Sequence, residues 1–263
     1  MSEVFTLQCG TTPLLVSLPH IGTSIPEDLR GRYVHRALDV EDTDWHLTQL
    51  YDFVPSLGAS LIVPHFSRYV IDLNRPAEST PMYPGANNTE LCPLHFFTGD
   101  DLYLPDSAPD EAEIAWRLEV YWHPYHRALS GELERLRNEH GYALLFDGHS
   151  IKSHLPWLFD GKLPDVNLGT GSGKSCATAL RSALAKLLEG QQGFTHAIDG
   201  RFKGGYITRF YGHPAGNVHA VQLEICWSCY MEESPPFRYD PSRAAKLQPL
   251  LRRVMETMLD FGS

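Results

Sequence analysis

The chain has 263 residues and no linker-like stretch, so residues 1–263 are expected to fold as one domain with a large core. Hydrophobic and charged fractions of 43% and 21% fit a soluble globular protein, and a formal net charge of −10 argues against nucleic acid or an anionic membrane as the main partner. Five cysteines, no secretory leader at Met1-Ser2-Glu3 and no apolar run near the ~20 residues of a membrane helix lead us to expect reduced thiols in the cytoplasm.

The first apolar run, Pro13 to Leu18, reads as a strand ending in the turn Pro19-His20-Ile21-Gly22. Alone, His20 would be a surface histidine on a turn. Val40-Glu41-Asp42-Thr43-Asp44-Trp45-His46 then leads into a helix with Leu47, Leu50, Tyr51, Val54 and Leu57 at helical spacing. Asp42 or Thr43 suits its N-cap, and Asp44 suits the positive end of its dipole. Capping does not explain why several carboxylates crowd one helix start. One of them is a candidate hard oxygen ligand for a metal, Asp44 somewhat ahead of Asp42. Ala59 to Pro64 reads as a strand and Phe66 to Pro76 as a second one with polar tips. Arg68, Asn74 and Arg75 at its ends are costly to bury unless they meet Asp72 and its neighbours or an anionic ligand.

Pro76 to Asp106 is dense in turn formers yet carries Phe96 and Phe97, the mark of an ordered flap. Pro109 to His140 reads as a long helix that Pro124 kinks or splits, with His123 and His126 in its packing face. Ala143-Leu144-Leu145-Phe146 is a buried strand delivering Asp147-Gly148-His149-Ser150 at its carboxyl end, where open α/β sheets place their chemistry. Gly148 allows a sharp turn there, and Asp147 is close enough to orient the imidazole of His149. Two apolar strands each ending in histidine, His20 and His149, invite a common site. An acid from the 42–44 stretch completes a His/carboxylate/His set for zinc.

Residues Asp165 to Ser175 tempt a nucleotide-binding reading, but the position five before Gly173 is Leu168 rather than glycine, and no clear strand precedes the run. It reads instead as a Gly-rich loop capping a helix from Cys176 to Leu188. Asp199 to Arg209, with Arg201, Lys203, Tyr206 and Arg209 between glycines, suits a mobile loop closing over an anion, or a solvated turn. In Val218 to Ile225, Glu224 is a carboxylate inside an apolar strand. Burial would raise its pKa into the range of a general base or acid; a structural salt bridge is the alternative. Cys226 and Cys229 form a lone CxxC and read as packed thiols. Pro241 to Phe261 is an amphipathic helix.

Taken in order, Pro19-His20-Ile21-Gly22, Asp42-Thr43-Asp44-Trp45, Ser67 to Pro76, Asp147-Gly148-His149-Ser150, Gly200 to Tyr206 and Gln222-Leu223-Glu224 closely resemble the N-formylglutamate deformylase (N-formylglutamate amidohydrolase) family of histidine degradation. The resemblance runs over nearly the whole chain. It implies a zinc-carboxypeptidase-like fold, a three-layer α/β/α arrangement around a mixed, mostly parallel sheet, and hydrolysis of N-formyl-L-glutamate to formate and L-glutamate. It also implies a site: His20, Asp44 and His149 on one zinc or other divalent ion, Glu224 as general base and Arg68 beside the oxyanion. Asn74 and Arg75 would take one substrate carboxylate and Arg201 or Arg209 the other, with Tyr206 nearby. One departure stands out, since carboxypeptidases place the acidic ligand three residues after the first histidine and Thr23 occupies that position. The same scaffold could serve a related aminoacylase or carboxypeptidase, or a non-catalytic binder of acidic metabolites. A serine hydrolase is disfavoured by the lack of GxSxG.

Overall fold

Seven short apolar segments make one sheet, seen in a computed structural model that describes residues 3–82 and 87–261. The strands are β1 (Phe5–Gln8), β2 (Leu14–Ser17), β3 (Ser60–Pro64), β4 (Ala143–Ile151), β5 (Val166–Gly169), β6 (His196–Ile198) and β7 (Val218–Cys226). Their order across the sheet is β1-β3-β2-β4-β7-β5-β6. The central four run parallel, β1 pairs antiparallel with β3, and β5 pairs antiparallel with β7 while parallel to β6. The helices are α1 (Glu27–Arg30), α2 (Leu47–Leu50), α3 (Glu111–Arg117), α4 (His123–His140), α5 (Thr178–Gly190), α6 (Tyr206–Tyr211) and α7 (Pro241–Asp260).

The alternation along β4 explains the layers. Leu144 and Phe146 pack in one core with Leu180 and Leu184 of α5 and Leu247, Leu251 and Val254 of α7. Ala143 and Leu145 point the other way, into a second core with Tyr125, Leu129, Leu133 and Leu136 of α4. Being covered on both faces, β4 and β7 are buried along their whole length, which is why apolar residues occupy both faces, Ala143 to Phe146 without a break in β4 and Ala220, Val221, Leu223 and Ile225 between the polar positions of β7. The expected three-layer α/β/α fold with a mixed, mostly parallel sheet is the one observed. No helix among the described residues is long and apolar enough to cross a membrane.

Pro124 acts as expected. It sits in the first turn of α4, and the five residues before that helix, Leu118–Trp122, form a π-turn joining it to α3. Elsewhere the local chemistry overrides the pattern. The segment Phe66 to Pro76 is not a strand but a series of turns: Asp72 accepts from the Arg68 guanidinium, and Ser67 Oγ accepts from Tyr69 N–H. Its apolar residues Tyr69, Val70 and Ile71 are buried in the second core without sheet pairing. The helix expected after Asp44 breaks into the single turn α2 and a 3-10 turn at Val54–Leu57 that carries Pro55 as its second residue. Residue His46, in a left-handed conformation, stands at the N-cap of α2. Neither Asp42 nor Thr43 caps this helix. Within the expected flap, Phe96 and Phe97 are buried; residues 83–86 of it lie outside the described residues.

Candidate active site

The carboxyl ends of β2, β4 and β7 bring the polar groups together. Unlike the expected turn, β4 continues through Gly148 to Ile151, and His149 pairs in register with Glu224 of β7. Gly148 is required for another reason: a Cβ there would lie 2.6 Å from Leu18 Cδ2. Leu18-Pro19 carries His20 beyond β2, and the Asp44 N–H donates to the His20 carbonyl at 3.0 Å, which docks the 42–45 turn onto this strand end.

Three donor atoms converge. His149 Nδ1 lies 3.1 Å from His20 Nδ1 and 3.2 Å from Asp44 Oδ2, and His20 Nδ1 lies 3.7 Å from Asp44 Oδ2. Ligands about 2.0–2.1 Å from a tetrahedral ion stand about 3.3 Å apart, so the triangle has the size a zinc ion needs. Each imidazole is also held from behind by a carboxylate. His20 Nε2 is 2.6 Å from Asp72 Oδ1, and His149 Nε2 is 3.1 Å from Asp147 Oδ1. A proton kept at each Nε2 leaves the Nδ1 lone pair pointing at the shared centre. The donor set therefore fits one divalent cation. Asp42 is excluded from this triangle, because its Oδ2 accepts from Tyr69 Oη at 2.8 Å and from Phe97 N–H at 3.0 Å.

The electrostatics point the same way. Four carboxyl groups, Asp44, Asp72, Asp147 and Glu224, are buried here beside the guanidiniums of Arg68 and Arg75, so a cation at the triangle meets oxygen donors rather than an apolar wall. Burial works against the Asp44 carboxylate, but hydrogen bonds with His149 and His20 hold its pKa well below the usual range. Burial likewise disfavours the Asp72 anion, and His20, Arg68 and Arg75 together outweigh it. His149 is disfavoured as a cation by burial, yet Asp147 and Asp44 raise its pKa well above that of a free imidazole. Glu224 differs from all of these. Burial dominates and pushes its carboxyl up to about 8, with the His149 charge only partly opposing. Among the described residues its carboxyl is hydrogen-bonded by Gln222, whose amide donates to Oε2 at 3.3 Å.

Arg68 bridges the set. It donates to Asp72 Oδ2 at 2.6 Å, approaches His20 Nδ1 at 3.2 Å and stacks its guanidinium 4.6 Å above the Phe97 ring. Next to these groups lies a cavity of about 70 Å³ lined by His20, Asp44, Arg68, His149, Glu224 and Arg201, among others.

Residues 12–231 match the family model described as N-formylglutamate amidohydrolase. The chain is 47% identical to the N-formylglutamate deformylase of Pseudomonas putida, covering 100% of this chain and 98% of that one. The same identity and coverage hold for the N-formylglutamate deformylase of Pseudomonas aeruginosa. This chain belongs to the N-formylglutamate amidohydrolase family. Among solved structures it superposes on the N-formylglutamate amidohydrolase from Ralstonia eutropha JMP134 with a TM-score of 0.82 at 26% identity, over 98% of this chain and 97% of that one.

Within this N-formylglutamate amidohydrolase fold the other expected residues fall into two groups. Arg75 and Arg201 line the cavity with the triangle. Arg75 is steadied by Asn74 O and by Thr89, and Arg201 by the carbonyl of Leu158. Asn74 also lines it, but its Nδ2 lies 3.4 Å from Asp147 Oδ2 and 3.0 Å from His149 Nε2, while its Oδ1 accepts the Ile207 N–H at 2.8 Å. Its side chain thus ties Asp147, the carboxylate behind His149, to the start of α6. Tyr206 stands elsewhere, its ring packed among Trp122, His126 and Phe210. Arg209 donates to the Met82 carbonyl and lines a neighbouring cavity instead.

The segment expected as a mobile loop ends in helix α6, and Thr208 on that helix donates to Asp147 Oδ2 at 3.0 Å. Gly205 lets the helix start approach so closely that a Cβ would lie 2.3 Å from Asn74 Nδ2. Gln222 was readable in principle, being two residues before Glu224 in a strand and so on the same face. Asp72 carried a weaker signal, an i+4 spacing from Arg68. Ser150 is no nucleophile: its Oγ lies 2.7 Å from Tyr230 Oη and accepts from Trp227 Nε1 at 3.1 Å. Cys226 and Cys229 are free, buried thiols whose pKa values burial raises.

Proposed function

We propose that this amidohydrolase hydrolyses N-formyl-L-glutamate to formate and L-glutamate, as a cytoplasmic step of histidine breakdown. We assign His20, Asp44 and His149 as the holders of one divalent cation, zinc by its donor set. The observation carrying this reading is the triangle of two imidazole nitrogens and one carboxylate oxygen at 3.1, 3.2 and 3.7 Å, set beside a buried glutamate.

When bound, such an ion supplies a Lewis acid and lowers the pKa of a water toward roughly 7. Glu224, which burial raises to about 8 before metal binds and which a bound cation would return toward the carboxylate, accepts a proton from the attacking water as its oxygen adds to the formyl carbon. The same carboxyl returns that proton to the amide nitrogen as the C–N bond breaks, releasing formate and the free amine. Gln222 holds the carboxylate by its amide donor. Arg68 offers a fixed positive charge where the formyl oxygen gains charge. Asp72 and Asp147 keep the two imidazoles in the tautomer that presents Nδ1. Arg75 and Arg201 take the two substrate carboxylates, since each guanidinium lines the cavity and is already oriented by backbone carbonyls. Asn74 assists by donating to Asp147, the carboxylate that orients His149.

The test is formate release from N-formyl-L-glutamate by purified protein, before and after chelation and with zinc restored, run beside the N-acetyl and N-succinyl analogues. Turnover of the formyl compound that is lost and regained with metal is the expected result. Preference for a longer acyl group would move the reading to an aminoacylase, and binding without turnover would reduce it to a metabolite binder.

A further inference from the structure

Beside the site just described lies a larger, open cavity of about 710 Å³ that the proposed chemistry does not use. Its lining is lopsided in charge. Lys174, Arg201, Lys203 and Arg209 contribute four cations, and none of the described lining residues is acidic, on a chain whose net charge is −10. Three of the four, Lys174, Lys203 and Arg209, are exposed, whereas Arg201 is half-buried and lines both this cavity and the inner one. The two spaces therefore meet at one guanidinium.

The Gly-rich turn Gly171 to Ser175 forms one wall, but its amides are committed elsewhere. Asp199 accepts the N–H groups of Thr170 at 2.7 Å and Ser172 at 3.1 Å and is neutralised by Arg181 at 3.0 Å. Gly173 N–H and Ser175 N–H both donate to the Thr170 carbonyl. A carboxylate of the chain itself thus takes two of the amides of this turn. What the outer cavity offers an anion is a field of side-chain cations rather than a cradle of backbone donors.

We propose that this outer cavity is a second, weak anion site that gathers a dicarboxylate from solution and hands it across Arg201 to the inner cavity. This rests on the reading of the substrate as a dianion. The physical need is specific: an acidic protein repels a dianion at long range, and a local cluster of cations at the mouth reverses the potential where capture occurs. Exposed charges act through screened water, so the effect must shrink as salt shortens the Debye length from about 30 Å at 0.01 M to about 3 Å at 1 M.

The experiment compares the zinc-loaded wild type with Lys174→Gln/Lys203→Gln and Lys174→Glu/Lys203→Glu pairs. The quantities read are kcat/KM and kcat for N-formyl-L-glutamate between 0.01 and 0.5 M NaCl, and glutarate affinity by calorimetry. The expected result is a graded fall in kcat/KM at low salt, roughly tenfold or more for the charge-reversed pair. Unchanged kcat, convergence at high salt and a parallel weakening of glutarate binding complete the pattern. Wild-type kcat/KM and salt slope in both pairs would overturn the outer site while leaving the hydrolase reading intact. If the wild type fails to turn over the formyl substrate, that reading fails, and the glutarate titration alone decides the outer site: lysine-independent binding, or none, overturns it.

Discussion

Replacing Glu224 by Gln separates the two properties that burial confers on this residue, its role in proton transfer and its cost to the fold. The side chain is 6% exposed and titrates at about 8 in the folded, metal-free protein against 4.5 in the unfolded chain. Ionising it inside is therefore up to about 5 kcal/mol harder than in water. Between those two values the folded state binds the extra proton, so the stability of metal-free wild type falls as pH rises from about 4.5 to about 8 and is level above. The amide, isosteric and uncharged, removes this component. Urea unfolding of chelated proteins at pH 5, 6, 7 and 8 should show the variant gaining on wild type by as much as several kcal/mol at pH 8. Zinc narrows the gap, because the ion's charge favours the carboxylate. In the same variant kcat should fall about 10²–10⁴-fold with one zinc still bound. Parallel unfolding curves at all four pH values would refute the burial argument, and retained turnover would refute the general base.

The remaining predictions test the metal centre and its support. Asp44→Asn should weaken zinc binding by orders of magnitude whereas Asp42→Asn, whose carboxylate faces Tyr69 and the Phe97 amide, should leave it within a few-fold; equal losses in competitive chelator titrations would contradict the triangle. Zinc uptake at pH 7 should release at least one proton, because His149 is held protonated by Asp147 and Asp44 until the ion takes its Nδ1; calorimetry in two buffers of different ionisation enthalpy reads the number, and a value of zero counts against it. Asp147→Asn should cost about 10–100-fold in zinc affinity with little effect on the fold, since its carboxylate backs His149 rather than facing the ion, and unchanged affinity would remove it from that role. Leu144→Ala, at a fully buried position between the sheet and α7, should lower stability by roughly 2–5 kcal/mol without altering zinc stoichiometry, as judged by chemical denaturation.

Sequence patterns located the central strands well, because β4 and β7 are covered on both faces and so carry apolar residues at successive as well as alternate positions. They failed where backbone conformation depends on side-chain hydrogen bonds. Phe66 to Pro76 has the composition of a strand, but Arg68 and Asp72 are four apart and close a turn on each other, an outcome the alternation of residues does not encode. The stretch after Asp44 has helical spacing, but Pro55 interrupts it and His46 bends its start, which frees Asp44 to face the histidines rather than cap a helix. The strand β5 was hidden in a sequence rich in turn formers, and it exists because β7 supplies an antiparallel edge. The site residues that were legible are those at strand ends, His20, His149 and Glu224. Less legible were those whose partners lie far away in the chain, such as Thr208 reaching Asp147 across 61 positions.

That long-range pairing gives the centre its economy of parts. Each imidazole has a carboxylate behind it, and both carboxylates are themselves anchored: Asp72 by Arg68, Asp147 by Thr208 and Asn74. Asn74 in turn receives the α6 amide of Ile207, and the Gly205 N–H beside it donates to Gln222 Oε1 at 2.6 Å while Gln222 reaches Glu224. The start of α6 is thus hydrogen-bonded both to Asn74, which anchors Asp147 behind His149, and to Gln222, which reaches Glu224. A displacement of this helix start would loosen both at once. The basic run that precedes it, Arg201 to Lys203, borders the cation-lined outer cavity, so an anion held there would bear on the same few hydrogen bonds that fix Asp147 and Glu224.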